Sequence, residues 1–406
     1  MRIAIPSTTA ALAVAASIAW PTTALALTDL ILNVDCASGG RINQALSRPT
    51  LVDRRLVVVV SGSCTENVTI ERDDVVLRAQ GSGGGVSASD ASKPAILING
   101  ARRVALEGLS VTGGLHGVLL TGGAAATIRG SAIRNAARTG VHIESGASAV
   151  VDASTIENHG QSGVTADGTR VTMTGSTVRG NGLSGVAALR GGSLFLGADN
   201  AGVVCCGNTI EYNAFDGVTL ADSAGGALYG NTIQENGRNI PRFGILVTRA
   251  SSLALRGGNL VRQNGTATGG GGIFVSAASA IRTGPGDTLF SPTSNEISGN
   301  TFGIQGTFNS ILDLRSGVSV TGSTFTGVVV DTGARLRTDG SVITGNKAHG
   351  VFAARASSAE FVGSANVVSG NTAFGLFCQD VESSYVGNVG GISGNGQEPQ
   401  VNCTGF

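Results

Sequence analysis

The segment Asn208-Thr209-Ile210-Glu211-Tyr212-Asn213, completed after three further residues by the step Gly217-Val218, is one statement of a phrase that recurs along the chain. Its variants include Ser154-Thr155-Ile156-Glu157-Asn158 before Gly163, Ser176-Thr177-Val178-Arg179-Gly180-Asn181 before Gly185, and Asn366-Val367-Val368-Ser369-Gly370-Asn371 before Gly375. Gly-hydrophobic steps start at Gly117, Gly140, Gly163, Gly185, Gly217, Gly244, Gly272, Gly303, Gly327, Gly350 and Gly375, with regular intervals of 22 to 25 residues. A repeat of that length cannot bury a face by itself, so successive repeats must stack.

The alternation inside each repeat has period two and is bounded by Gly, Ala, Ser and Asn, as in Gly140-Val141-His142-Ile143 and Ser252-Leu253-Ala254-Leu255-Arg256. That pattern reads as short strands and argues against leucine-rich or helical repeats. Two or three such strands per coil, repeated about eleven times, predict an all-β parallel solenoid whose equivalent side chains line up at roughly 4.8 Å. The recurring asparagines Asn135, Asn158, Asn181, Asn213, Asn236, Asn264, Asn300, Asn346, Asn371 and Asn395 then form a ladder. At a turn, an amide bonds its neighbours above and below and tolerates a left-handed backbone. One rung is missing, in the Ser323-Thr324-Phe325 repeat.

The phrase resembles the repeat of right-handed parallel β-helix proteins, the pectate-lyase-like superfamily, over roughly Leu56 to the C-terminus. The resemblance implies a right-handed parallel β-helix with a short N-terminal cap. It implies no particular reaction, because the superfamily contains lyases, hydrolases, epimerases, adhesins and phage tailspikes.

Met1-Arg2, an apolar Ala-rich run to Trp20, and the small-residue site Ala24-Leu25-Ala26 predict a secretory signal peptide over 1–26. The cap and entry coils are then expected over 27–94, the repeats over 95–395 and a disulfide-stapled tail over 396–406. Lys plus Arg and Asp plus Glu each number 27, and charged residues make up 13% of the chain. Neither a basic patch for nucleic acid nor one for anionic lipid is expected. The Gly-, Ser- and Ala-rich stretch 81–93 reads as a loop between coils.

In an exported chain disulfides are the default for cysteine. Cys36 with Cys64, and Cys378 with Cys403, would each staple one end of the solenoid. The adjacent Cys205 and Cys206 leave two alternatives, a vicinal disulfide or a thiol facing the core. Residues 41–46 predict a short helix over the open end, where an unpaired sheet edge invites aggregation. The segment 61–70 resembles the entry coil of the same superfamily, and Glu66 within it is expected to form the turn.

Stacking allows sequence columns to be read as spatial neighbours. Arg134, Glu157, Arg179 and Glu211 share one column, and Glu107, Arg129 and Asp152 another, as structural charge ladders. Glu144 and Asp167, each four residues after a repeat Gly, form a like-charged pair with the outward-facing His142 beside them and His159 in the intervening turn. Such a pair calls for a proton or a cation, calcium being the expected ion, unless the side chains splay into water. His116 and His349 directly precede a repeat Gly and read as solvated turn residues.

The wide intervals between Gly185 and Gly303 place insertions at 191–206, 237–243, 265–271 and 281–294. Two of these follow the Asn in adjacent coils and would build a groove on a rigid scaffold. The second carries Arg238 and Arg242, suited to sugar carboxylates. Their spacing departs from the Arg-x-Pro-x-x-Arg segment of pectate lyases. The paired-Asp, Gly-His-Gly and Asp-Pro-His-Asp motifs of related enzymes are absent from the sequence. The only tryptophan, Trp20, falls in the signal peptide, which leaves few stacking platforms for sugar rings.

Two function classes therefore stand. The first is a secreted or cell-envelope protein of bacterial origin that binds an extracellular polysaccharide or surface component without catalysis, adhesin-like. The alternative is a polysaccharide lyase or glycoside hydrolase acting on an acidic polysaccharide, with Arg238, Arg242 and His142 as catalytic candidates and Glu144 and Asp167 as metal ligands. Neither requires a cofactor, and calcium is the ion the second would use.

Overall fold

Each repeat folds as three short strands separated by turns, and every strand pairs in parallel with its counterpart one coil away. One coil comprises Thr155–Glu157, Val164–Asp167 and Arg170–Thr174, and the next begins at Thr177–Arg179, paired in parallel with Thr155–Glu157. The computed structural model of the protein describes residues 28–49, 54–198, 206–237, 240–265, 269–284, 294–315 and 318–405. The expected signal peptide lies outside them.

Three sheets result. Sheet I has sixteen strands, from Thr28–Asp35 to Thr404–Gly405. Sheet II has fourteen, from Val68–Ile70 to Val401–Asn402, and carries the Gly-Val steps. Sheet III has fourteen, from Ser63–Thr65 to Ile392–Ser393, and carries the Thr-Ile phrase. The eleven glycine steps are thus the regular middle of a stack of about fourteen coils. Residues of the 396–406 tail extend that stack, Val401–Asn402 pairing with Leu376–Cys378 and Thr404–Gly405 with Ser384–Gly387.

The period-two pattern places one apolar column inside. Val118, Val141, Val164, Val186, Val218, Ile245, Ile273, Ile304, Val328, Val351 and Leu376 follow the repeat glycines and are all fully buried. The glycines themselves are required by close approach. At Gly217 a Cβ would lie 2.6 Å from Ile233 Cγ2 and 2.8 Å from Asn236 Nδ2. The two halves of the repeated phrase therefore explain each other, because at Gly163, Gly185, Gly217, Gly244, Gly272, Gly327, Gly350 and Gly375 the space of the missing side chain borders the next coil's asparagine amide.

The ladder runs through Asn181, Asn213 and Asn236, each Nδ2 donating to the next Oδ1 at 2.8–3.0 Å, and continues through Asn264 to Asn300. A second run links Asn346, Asn371 and Asn395. Between the runs Ser323 accepts the rung position, its N–H donating to Asn346 Oδ1 while its hydroxyl is buried without a partner among the described residues. Asn135 and Asn158 correct the expected list. They occupy the preceding residue, with φ of 56° and 61°, and the rungs are Ala136 and His159. His159 Nδ1 accepts the Ala136 N–H at 3.0 Å, and the His159 N–H donates to Asn181 Oδ1.

A further ladder opens the same phrase one corner away. Asn208, Asn231, Asn259 and Asn295 are joined Nδ2 to Oδ1, and Ser131, Ser154 and Ser176 continue it by accepting backbone N–H groups. These asparagines were the first letter of the quoted segment.

At the N-terminal end Thr28–Asp35 covers Arg54–Ser61, and the helix α1, Ile42–Leu46, packs Ile42 and Ala45 inward. Arg41 supplies no capping side chain. Glu66 does so instead, its carboxylate accepting from the N–H groups of Ile42 at 2.6 Å and Asn43 at 3.2 Å. Cys36–Cys64 and Cys378–Cys403 are disulfide-bonded. Cys206 is a free, exposed thiol, which overturns both the vicinal bond and a core position for it. Cys205 lies outside the described residues.

Candidate functional site

The charge columns, one on sheet III and one on sheet I, resolve into local ion pairs. Glu157 is held between Arg134 at 2.5 Å and Arg179 at 2.8 Å, and its hydrogen bond from Arg179 keeps its carboxyl below the usual range. Arg129 pairs with Asp152 at 3.0 Å, while Glu107 pairs with Arg78 at 2.6 Å. Glu211, the last of its column, accepts from the Gln234 amide at 2.7 Å instead of an arginine, and these columns hold strands in register.

Sheet II brings the like-charged pair together. Strand Val141–Ile143 lies beside Val164–Asp167 with His142 opposite Thr165, so Glu144 and Asp167 leave adjacent strands at the same level. One ligand atom each of His142, Glu144 and Asp167 falls within 4.8 Å of the others. His142 Nε2 is 3.4 Å from Glu144 Oε2, and Arg190 from the following turn pairs with Asp167. His116 stacks on His142 with ring centroids 4.8 Å apart. Burial, with the neighbouring His142 and Arg138, brings His116 down to about 4, so it is neutral at pH 7. The donor set of one imidazole and two carboxylates suits a transition metal such as zinc or manganese better than calcium, which takes oxygen ligands. Arg190 competes with any cation for Asp167.

Further along the same sheet stands a residue that sequence reasoning passed over. Asp216 directly precedes Gly217, at the position His116 and His349 occupy in their coils, and is 2% exposed. Its Oδ1 accepts the Phe243 N–H at 2.9 Å and its Oδ2 the Thr219 hydroxyl at 3.4 Å. Burial pushes its carboxyl up to about 6 against those hydrogen bonds and the nearby Arg242 charge. The Arg242 guanidinium lies 4.2 Å over the Phe215 ring, and Phe243 stacks on Phe274 at 4.6 Å. The signal was a carboxylate in a column otherwise filled by Thr, Ser, Gly, Phe and His.

Arg238 lies outside the described residues, as does most of the insertion 281–294. The described ends of the other two central insertions do meet, the Gly271 N–H donating to the Arg242 carbonyl at 3.0 Å. His159, placed by sequence in a turn near the carboxylates, is 2% exposed and a rung of the ladder. His349 is half-buried in a stack with Phe374 and Phe377, the latter at 4.8 Å, so neither His116 nor His349 is a solvated turn residue. On sheet II the column through His142, Thr165, Ala187 and Thr219 puts three coils, roughly 14 Å, between His142 and Asp216 and two, roughly 10 Å, between Asp167 and Asp216.

Residues 75–195 and 116–302 match the family described as right handed beta helix region, together more than half of the chain. The chain belongs to that family. Among curated protein sequences none matches significantly. Among solved structures the periplasmic alginate epimerase AlgG is similar, with a TM-score of 0.50 and 15% identity over 88% of this chain and 84% of the epimerase. The mannuronan C-5 epimerase AlgE6 A-module of Azotobacter vinelandii aligns at TM-score 0.40 and 15% identity, covering 86% and 87% of the two chains. Tailspike protein 2 from the Escherichia coli O157:H7 bacteriophage CAB120 aligns at TM-score 0.39 and 13% identity over 81% of this chain, which spans 38% of the tailspike. These likenesses are likenesses of fold.

Proposed function

We propose that the protein is an exported β-helix protein that binds polysaccharide along sheet II without transforming it. The observation that carries this reading is the separation of its reactive groups. His142 and Glu144 stand three coils and Asp167 two coils from Asp216, with Arg242 one coil further on, beyond the hydrogen-bond reach that an acid and a base acting on one bond require. One carboxylate of each cluster is also held internally, Asp167 by Arg190 and Asp216 by the Phe243 N–H and the Thr219 hydroxyl. The strip between them is floored by the nearly buried Ser162, Thr165 and Ser184 and by the part-exposed Thr219, which bonds Ser184 at 2.8 Å, and hydroxyls exchange hydrogen bonds with sugar hydroxyls. Repetition at the coil spacing suits a repeating polymer, and two disulfides agree with an oxidising compartment. Among the described residues no helix is long and apolar enough to cross a membrane.

One observation favours the alternative, a lyase or hydrolase of acidic polysaccharide. The raised Asp216 carboxyl lies in the range of a general acid-base group, beside Arg242. Incubating the protein with pectate, alginate, glycosaminoglycans and neutral glycans, with and without calcium, separates the two. Binding on the panel with neither unsaturated products nor new reducing ends is expected. Products that vanish in Asp216→Asn or Arg242→Ala establish the enzyme. Calcium-dependent stabilisation lost in Glu144→Ala with Asp167→Ala assigns the ion.

A further inference from the structure

On sheet I, a different face from the one just described, the side-chain columns open into a notch lined by arginines. Leu255 pairs with Thr283 and Arg282 with Asp313, so Arg256, Gly284 and Arg315 stand at one level of three successive coils. The middle position has no side chain. A Cβ built on Gly284 meets nothing within 4 Å, and the cleft there, ≈ 320 Å³, is lined by Arg256, Arg282, Arg315, Thr283 and Asp339 among others. Arg256 and Arg315 flank the gap two coils apart, roughly 10 Å, and Arg282 reaches out from the coil between.

The charges are unevenly matched. Asp313 takes Arg315 at 2.9 Å and Arg282 at 3.7 Å, and Asp339 stands beside Arg315 in register. Arg256 has no carboxylate partner among the described residues. Its Nε is buried and has no hydrogen-bond partner among the described residues. A guanidinium nitrogen taken from water with nothing to donate to is costly, and the rest of the part-exposed Arg256 borders the open volume, where a partner would sit. Exposed Arg282, 62% accessible, can close over such a partner.

We propose that this notch is an oxyanion site, holding one carboxylate, sulfate or phosphate group carried on a larger ligand. Arg256 is its principal donor and Arg282 the second. Guanidinium supplies parallel N–H groups to a planar or tetrahedral oxyanion, and Gly284 keeps the approach clear. Asp313 orients Arg282 and Arg315 and limits the site to a single negative group.

Calorimetric titration of the full disulfide-bonded chain with an oligouronate, a sulfated oligosaccharide and a neutral oligosaccharide of equal length tests it. At least one anionic ligand binds, more weakly as salt rises, and the tighter of the two identifies the oxyanion. Arg256→Gln keeps the aliphatic stem, and Gly284→Val fills only open space, so unchanged melting curves certify both folds. Each weakens anionic binding about tenfold or more. The proposal is overturned by wild-type affinity in either variant, by a neutral ligand that binds as tightly and loses equally, or by no anionic ligand binding at all. Polysaccharide binding on sheet II is read separately, because it survives both substitutions.

Discussion

Two buried titratable residues pull stability in opposite directions over the same pH range. Asp216 holds its proton up to about pH 6 in the fold, against an ordinary 3.8. Between those values the native state binds more protons than the unfolded chain, so stability falls as pH rises, by about 2–3 kcal/mol in all. Asp216→Asn retains an acceptor for the Phe243 N–H and gains a donor toward Thr219. It is expected to be more stable than wild type by that amount at pH 7 and equal to it near pH 4. Denaturant melts across pH 4–8 check this, and a constant difference between the two proteins would refute the buried charge. His159 behaves inversely. Burial brings its imidazole from 6.5 to about 4, so the unfolded chain takes up protons first and stability is lost as pH falls from 6.5 toward 4. Moving from pH 7 to pH 5 costs about 2 kcal/mol on this account. His159→Asn supplies the ordinary rung, and its melting temperature should not show that acid-side loss.

At the scale of the turn, the asparagine positions differ in kind although they look alike in sequence. Asn236 accepts from the N–H and the amide of Asn213, and donates to Ile210 O, Gln234 O and Asn264. Asn236→Ala strands those buried partners and is expected to cost about 2–4 kcal/mol. Asn135 contributes only a left-handed backbone, φ 56°. Glycine adopts that conformation freely, so Asn135→Gly should leave the denaturation midpoint within about 1 kcal/mol of wild type. Equal losses in the two variants would contradict the assignment of one as a rung and the other as a turn. The glycine step and the asparagine rung form one device, since Gly217 leaves the room that Asn236 fills.

Over the whole molecule each coil touches only its neighbours, so stability is a chain of nearest-neighbour terms. The disulfides sit where that chain ends. Cys378–Cys403 closes a separation of 25 residues, and its removal in Cys378→Ser with Cys403→Ser should cost about 3 kcal/mol. That loss is expected in hydrogen exchange of the last coils, with protection of the strands around Asn213 and Asn236 unchanged. A uniform loss along the solenoid would show that the coils unfold as one unit.

The period, the strands, the inward column and the two staples were legible in the sequence because stacked coils turn linear recurrence into spatial repetition. Glu144, Asp167 and His142 could likewise be placed together by counting, since their coils are of regular length. Counting failed by one residue at Asn135 and Asn158, where an alanine and a histidine stand in place of the rung asparagine and the turn residue resembled it. It could not reach Asp216, whose anomaly is burial under Arg242 and Phe243, groups contributed by another coil. Nor could it reach the arginine notch. Arg256, Gly284 and Arg315 are separated by coils of unequal length, and only the hydrogen-bonded register across sheet I brings them to one level. Local pattern thus sufficed for the architecture, which every repeat encodes independently, whereas the sites depend on how loops and neighbouring coils meet, an outcome decided by tertiary packing.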